Sequence, residues 1–226
     1  MGQSSAADLK GPTGVRQWWC RRACQAGGLW LSNWCGDSPW YKFLAVSVVL
    51  PEQLCLQCGL CCDGALFRDV ELQPGDDADH LRSLGLPVRA GSSGAGKFPQ
   101  PCAALCDDLR CRVYAARPAR CREFECALFK SVAAGVTELA AALKVIRQTR
   151  QQAEQVRRLL RELGETSERV SLSRRFQKVK RQFDAGVVPA GLDRETAYDL
   201  FAELSLAVHG LDQRLRTKFY PDPADG

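Results

Sequence analysis

The chain has 226 residues, 46% of them apolar and 25% charged, and a formal net charge of +5. These figures exclude a large multidomain assembly and wholesale disorder, and leave room for one generous domain or two small ones. The abnormal feature is cysteine: twelve in all, every one between Cys20 and Cys126.

Residues 1–50 hold all five tryptophans together with Cys20, Cys24 and Cys35, and show no steady apolar period. They read as an extension whose order the sequence leaves open. Cys20 and Cys24 have the spacing of half a metal site but no matching pair nearby. The longest apolar run, Phe43 to Leu50, is far short of the ~20 residues that cross a bilayer. Asn33, Asp37 and Lys42 interrupt the stretch a secretion signal needs, and Ala6 stands where a myristoylation signal has Ser or Thr. A cytoplasmic protein with no membrane association is expected.

Residues 51–130 are loop-rich and hold nine cysteines. Between the two cysteine groups, Ala65 to Leu72 alternates as a strand does, Asp76 or Asp77 suits the cap of a short helix ending at Gly85, and Gly91 to Gly96 reads as a flexible loop. That loop begins like a phosphate-binding GxxxxGK motif, but Phe98 replaces the Ser or Thr that would hold Mg²⁺, and Pro99 and Pro101 forbid the helix that should follow.

Residues 131–226 turn helical. Leu139, Leu143, Ile146, Ala153, Val156, Leu160 and Leu163 recur at three, four or seven positions, predicting a helix of about seven turns stopped by Gly164. A second helix is expected from about Ser167 to Asp184, with Phe176, Val179 and Phe183 on one face, and a third from about Asp193 to Phe219. The fold class is therefore α+β, mainly helical: a small cysteine domain at 51–130 with a helical segment at 131–226 packed on it, whose helices also offer a surface for a protein partner.

Disulfides are one use for so many cysteines, but the missing secretion signal argues against them, as do adjacent Cys61 and Cys62, which cannot adopt ordinary disulfide geometry with each other. Metal ligation suits the spacing better. Cys55, Cys58 and Cys61 form two overlapping CxxC units, in each of which a tight turn returns the second thiolate toward the ion that holds the first. Gly59 supplies a turn, and Cys62 must point elsewhere. The later cysteines Cys102, Cys111, Cys121 and Cys126, with Cys106 as a spare, bring enough sulfur for two four-sulfur sites or for one shared cluster, with ligands drawn from both groups. Eight thiolates around two zinc ions would absorb most of the net positive charge. Arg110, Arg112, Arg117, Arg120 and Arg122 lie among the later cysteines, where they could offset thiolate charge.

Taken in order, the run from Cys55 to Cys62 (CLQCGLCC), Cys102 before Leu105, Cys111 to Tyr114, Arg117, Pro118, Cys121, Arg122, Phe124 and Cys126 resemble the YkgJ-type cysteine-cluster family. That family's domain is described as zinc- or iron-chelating. The resemblance covers about residues 51–130 and implies a metal centre carried by Cys55, Cys58, Cys61, Cys62, Cys102, Cys111, Cys121 and Cys126, with Cys106 outside the pattern. The implied cofactor is Zn²⁺ or iron, including an iron–sulfur cluster. The implied function is metal binding in a structural, storage or delivery role.

Two other classes compete. A more distant resemblance to flagellin lysine N-methylases, which carry a related cysteine arrangement, implies an iron–sulfur or zinc-dependent enzyme. Bacterial ferredoxin itself does not fit, because there the fourth cysteine follows after three residues and precedes Pro, whereas Cys62 follows at once and precedes Asp63. Arg147 to Arg181 has eleven basic and four acidic residues, which raises a zinc-shaped nucleic-acid-binding module. Apolar residues at helical spacing interleave that run, so a solvated helix face is the better reading and nucleic acid is not expected. His80 and His209, the only histidines, give little basis for a nucleophilic pair.

Overall fold

Helical periodicity dominates what the chain builds. The computed structural model describes residues 52–91 and 94–220, and the expectations for residues 1–50 lie outside them. The chain opens with α1 (Glu52–Cys58) and continues through a small sheet, β1 (Asp69–Glu71), β2 (Arg89–Ala90) and β3 (Gly96–Pro99), with α2 (Ala78–Ser83) between β1 and β2. Two short helices, α3 (Ala119–Glu123) and α4 (Ala127–Ala133), lead to the long helices α5 (Leu139–Glu162), α6 (Leu172–Asp184) and α7 (Arg194–Lys218). The class is α+β and mainly helical.

The apolar stripe of α5 buries Ala142, Ile146, Ala153, Val156, Leu159 and Leu160, and Gly164, at φ +78°, ends the run. α7 begins at Asp193, whose carboxylate accepts the Thr196 amide at 2.9 Å. α6 starts later than its sequence suggests. The Glu165 carboxylate accepts the Ser167 amide at 2.9 Å, and the Val170 amide bonds Ser167 O, so residues 165–170 close into turns and Ser171 becomes the N-cap. α5 packs against α7, α6, α1 and α4. Phe183 stacks on Phe201 with ring centroids 4.4 Å apart.

Leu54, Leu60, Leu66 and Leu128, all flanking cysteines, are buried in the same core as these helices. Each fully buried aliphatic side chain stabilises the fold by roughly 1.5–3 kcal/mol. Arg175, within the run read as solvated, is instead buried at 2% exposure beside Glu165 at 3%. Its Nη2 donates to Glu165 O at 2.6 Å, and Lys178 Nζ reaches Glu165 Oε2 at 2.5 Å. The Glu165 carboxylate, 3.9 Å from Arg175 Nε, offsets the charge of the buried guanidinium.

The sheet is antiparallel with order β1-β3-β2, pairing Val70 with Phe98 and Arg89 with Lys97. β1 is shorter than the alternating stretch from Ala65. The Leu66 amide bonds back to Leu60 O and the Ala65 amide to Asp63 Oδ1, which folds residues 60–66 into turns before the strand can start. Gly91 to Gly96, read as a loop, enters β3 at its end, while residues 92 and 93 lie outside the described residues. A Cβ at Gly96 would meet Leu72 Cδ1 at 2.9 Å, so any larger residue there would have to displace that side chain. Val70, Leu72, Leu81, Leu86, Val88, Phe98, Ala104 and Val113 form a second, smaller core around this sheet. No helix among the described residues is long and apolar enough to cross a membrane.

Candidate metal centre

Packing aims the first cysteines. Leu54 on α1 is 2% exposed and Leu60 is fully buried, and between these two anchors lie exposed Cys55 and half-buried Cys58. Gly59 turns the chain at φ +69°, and its carbonyl accepts the amides of both Cys62 and Asp63 at 2.9 Å. A tight turn therefore sits inside the CxxCGxCC run, as the spacing predicts. Cys126 lies more than sixty positions on in the chain, yet packs against the same helical core as Cys58 and Cys61. It is the N-cap of α4, where its sulfur accepts the Phe129 amide at 3.4 Å.

The other cysteines gather at the smaller core. Cys102, Cys111 and Cys121 pack against it, and the Cys102 amide bonds Cys62 O at 2.7 Å. A bridge between Leu105 and Cys111 closes the loop that contains Cys106. Cys121 rides on α3, whose first amide, that of Ala119, is accepted by Asp76 Oδ1 at 2.8 Å.

Electrostatics sorts the thiols the same way. Burial pushes the Cys58 thiol up to about 12, with Cys126 and Cys55 adding to the rise and the Leu60 amide opposing it. Burial also lifts Cys61 well above an ordinary thiol, helped by Cys58, Cys62, Cys126 and Cys55. Cys62, next in the chain, is raised by burial and then by Cys102, Cys121 and Cys111. Burial raises Cys121 to about 12, with Cys102 and Cys111 as the next causes. Cys102 and Cys126 are also raised by burial, but amides of Ala104 and Leu105 at the first, and of Phe129 and Leu128 at the second, pull the other way. By packing, Cys58, Cys61 and Cys126 lie at the helical core and Cys102, Cys111 and Cys121 at the smaller one, with Cys62 joined to the latter through the Cys102 amide.

This donor set fits a soft divalent cation. Amide N–H groups directed at the sulfurs of Cys58, Cys102 and Cys126 favour thiolate over thiol, and a cation would supply the remaining charge that burial withholds. Among the described residues no three Cys, His, Asp or Glu side chains already stand as a closed ligand set. The thiols are gathered without being drawn to coordination spacing.

Residues 54–157 match the family described as CxxCxxCC, putative zinc- or iron-chelating domain. The match covers just under half of the chain. It spans all eight cysteines named from the motif and runs through α5 as far as Arg157. Comparison with curated proteins and with solved structures returned no match.

The match reaches past residue 130 to side chains that sequence reasoning overlooked. Arg150 Nη1 donates to Cys58 O at 2.9 Å, and Arg157 Nη2 donates to Asp63 Oδ2 at 2.9 Å. Both therefore hold the cysteine turn from α5. Their spacing of seven places them on one helix face, a signal the sequence carried but that pointed to no target. Of the arginines among the later cysteines, Arg112 lowers the Cys102 thiol and Arg117 lowers Cys121. Arg110 pairs with Asp108 instead, and the guanidinium of Arg117 lies 3.7 Å from the Tyr114 ring centroid.

Arg157, Arg158, Arg161, Arg174, Arg175, Lys178 and Lys180, seven of the eleven basic residues in the Arg147–Arg181 run, are in ion pairs with carboxylates. That is the pattern of a salt-bridged helix surface rather than of a stripe held open for phosphates. Both histidines are exposed, and the His80 amide is accepted by Asp77 in the cap of α2.

Proposed function

We propose that the CxxCxxCC domain binds two zinc or iron ions in two four-cysteine centres, one of Cys55, Cys58, Cys61 and Cys126, the other of Cys62, Cys102, Cys111 and Cys121. The observation that carries this reading over a single shared cluster is that consecutive Cys61 and Cys62 have different neighbours. Cys61 packs on the helical core with Cys58 and Cys126, whereas the Cys62 carbonyl accepts the amide of Cys102, which packs on the smaller core with Cys111 and Cys121. A metal ion bound there supplies the positive charge that keeps four thiolates ionised in a poorly hydrated site. The chain's own part is to present the sulfurs, direct amides at three of them, and hold the Cys58–Asp63 turn with Arg150 and Arg157.

In this reading the protein is a cytoplasmic metal carrier or store, since clustered reduced thiols need a reducing compartment. Residues 51–130 supply ligands and residues 131–226 brace them. Purification without oxygen, followed by elemental analysis and an absorption spectrum, tests it. Two equivalents of zinc in a colourless protein is the expected result. Brown protein with iron and acid-labile sulfide would instead favour the iron–sulfur enzyme. Protein free of transition metal and unable to take up zinc would remove the proposal.

A further inference from the structure

We infer that the two centres divide the work: metal at Cys62, Cys102, Cys111 and Cys121 holds the small sheet folded, whereas metal at Cys55, Cys58, Cys61 and Cys126 exchanges in a chain that stays folded. This inference rests on the two-centre reading above.

The two donor sets sit on scaffolds of very different strength. Nineteen buried residues make up the core beneath the first set, and they come from three long helices and from the ligand segments themselves. Leu54 precedes Cys55, Leu60 precedes Cys61, and Leu128 lies two positions beyond Cys126, each 5% exposed or less. The Cys58 carbonyl is tied to Arg150, and Cys126 caps a helix. These constraints are apolar burial and backbone hydrogen bonds, and none of them involves a metal. A segment held by packing can lose its ion without unfolding.

The second set has little of this. Only eight buried residues form its core: Val70, Leu81 and Phe98 lie in a strand or helix of six residues or fewer, and the other five in the connecting segments. Elements that short have no independent stability, and a segment with too little core must draw folding free energy from its ligands. Cys62, Cys102, Cys111 and Cys121 come from four separate stretches around the sheet, so one ion among them would staple the whole segment. Access differs at one ligand: Cys55 is exposed, whereas the other three cysteines of the first set and all four of the second are partly buried.

The test uses the full chain loaded with Zn²⁺. Zinc release to a chromogenic chelator should be biphasic, the first equivalent leaving at least ~10-fold faster than the second, with amide exchange at Val70 and Phe98 unchanged until the second leaves. Cys58→Ser should retain one equivalent and full protection of those amides. Cys121→Ser should also retain one equivalent, with protection in the sheet reduced ~100-fold or more. Should Cys121→Ser be too unstable to purify, the wild-type release kinetics decide the matter alone. Two equivalents leaving in one phase together with sheet protection would overturn the division while leaving the two centres standing. A chain that takes up no zinc would overturn the metal reading itself.

Discussion

Asp76 accepts, through Oδ1, the backbone amide of Ala119, 43 positions further along the chain, at 2.8 Å. Its other oxygen accepts the Gln73 amide at 2.8 Å, so one carboxylate fixes both a turn beside β1 and the first amide of the helix that carries Cys121. Asp76→Ala should destabilise the fold by about 1–2 kcal/mol, as loss of a helix cap does, and weaken zinc binding at the second centre. Denaturant titration paired with zinc stoichiometry checks both. Asp76→Asn, which keeps one acceptor oxygen for two amide donors, should recover only part of the loss.

Arg157 and Asp63 join α5 to the cysteine turn through a largely buried pair, their side chains 21% and 13% exposed. Arg157→Ala leaves Asp63 beside Cys62 without its guanidinium and should cost about 1–3 kcal/mol. Chemical unfolding of the zinc-loaded chain measures this. A loss no greater than that of an exposed pair such as Lys180–Asp184 would show that the link carries no special weight.

Glu165 makes the stability of the helical segment depend on pH. Burial works to raise its carboxyl, but hydrogen bonds from Lys178 and Ser167 outweigh it and hold the group below the ordinary carboxylate range. A depressed folded-state value means that the contribution is complete above the unfolded value, near ~4.3, and is lost as pH falls through the folded one. Glu165→Gln should therefore destabilise by about 1–3 kcal/mol at pH 7, leaving buried Arg175 without its carboxylate, and the gap from wild type should shrink below about pH 4. Melting temperatures of both proteins across pH 3–7 test the sign.

Cys106 is not among the eight cysteines proposed as ligands. Cys106→Ser should leave zinc per chain unchanged, whereas Cys62→Ser should lower it by one equivalent. Elemental analysis of the two variants side by side checks both.

Much of the helical architecture is legible in the residue pattern. The stripe from Leu139 to Leu163, the stop at Gly164 and the cap at Asp193 all appear where periodicity and capping place them. The late start of α6 is not legible, because Ser167 and Ser171 are both plausible caps and the Glu165 carboxylate, two positions back, accepts the Ser167 amide. Asp76 and Asp77 pose the same ambiguity. Asp77 caps α2 locally, and its neighbour reaches a helix far along the chain. The burial of Arg175 is hidden too, since a basic residue in a basic run reads as solvated until its partner is located.

What the amino-acid order alone determined is whatever depends on near neighbours: the helical stripes, their caps, the tight turn at Gly59, and the sulfur-rich chemistry of the CxxCGxCC run. These are short-range effects, set by backbone geometry within a few residues. Only the tertiary structure decided which cysteines stand together. Cys61 and Cys62 share a peptide bond, yet Cys61 packs on the helical core while the Cys62 carbonyl is bonded to the amide of Cys102, which packs on the core of the sheet. Grouping of that kind comes from how two cores of unequal size pack side by side, and spacing along the chain carries no record of it.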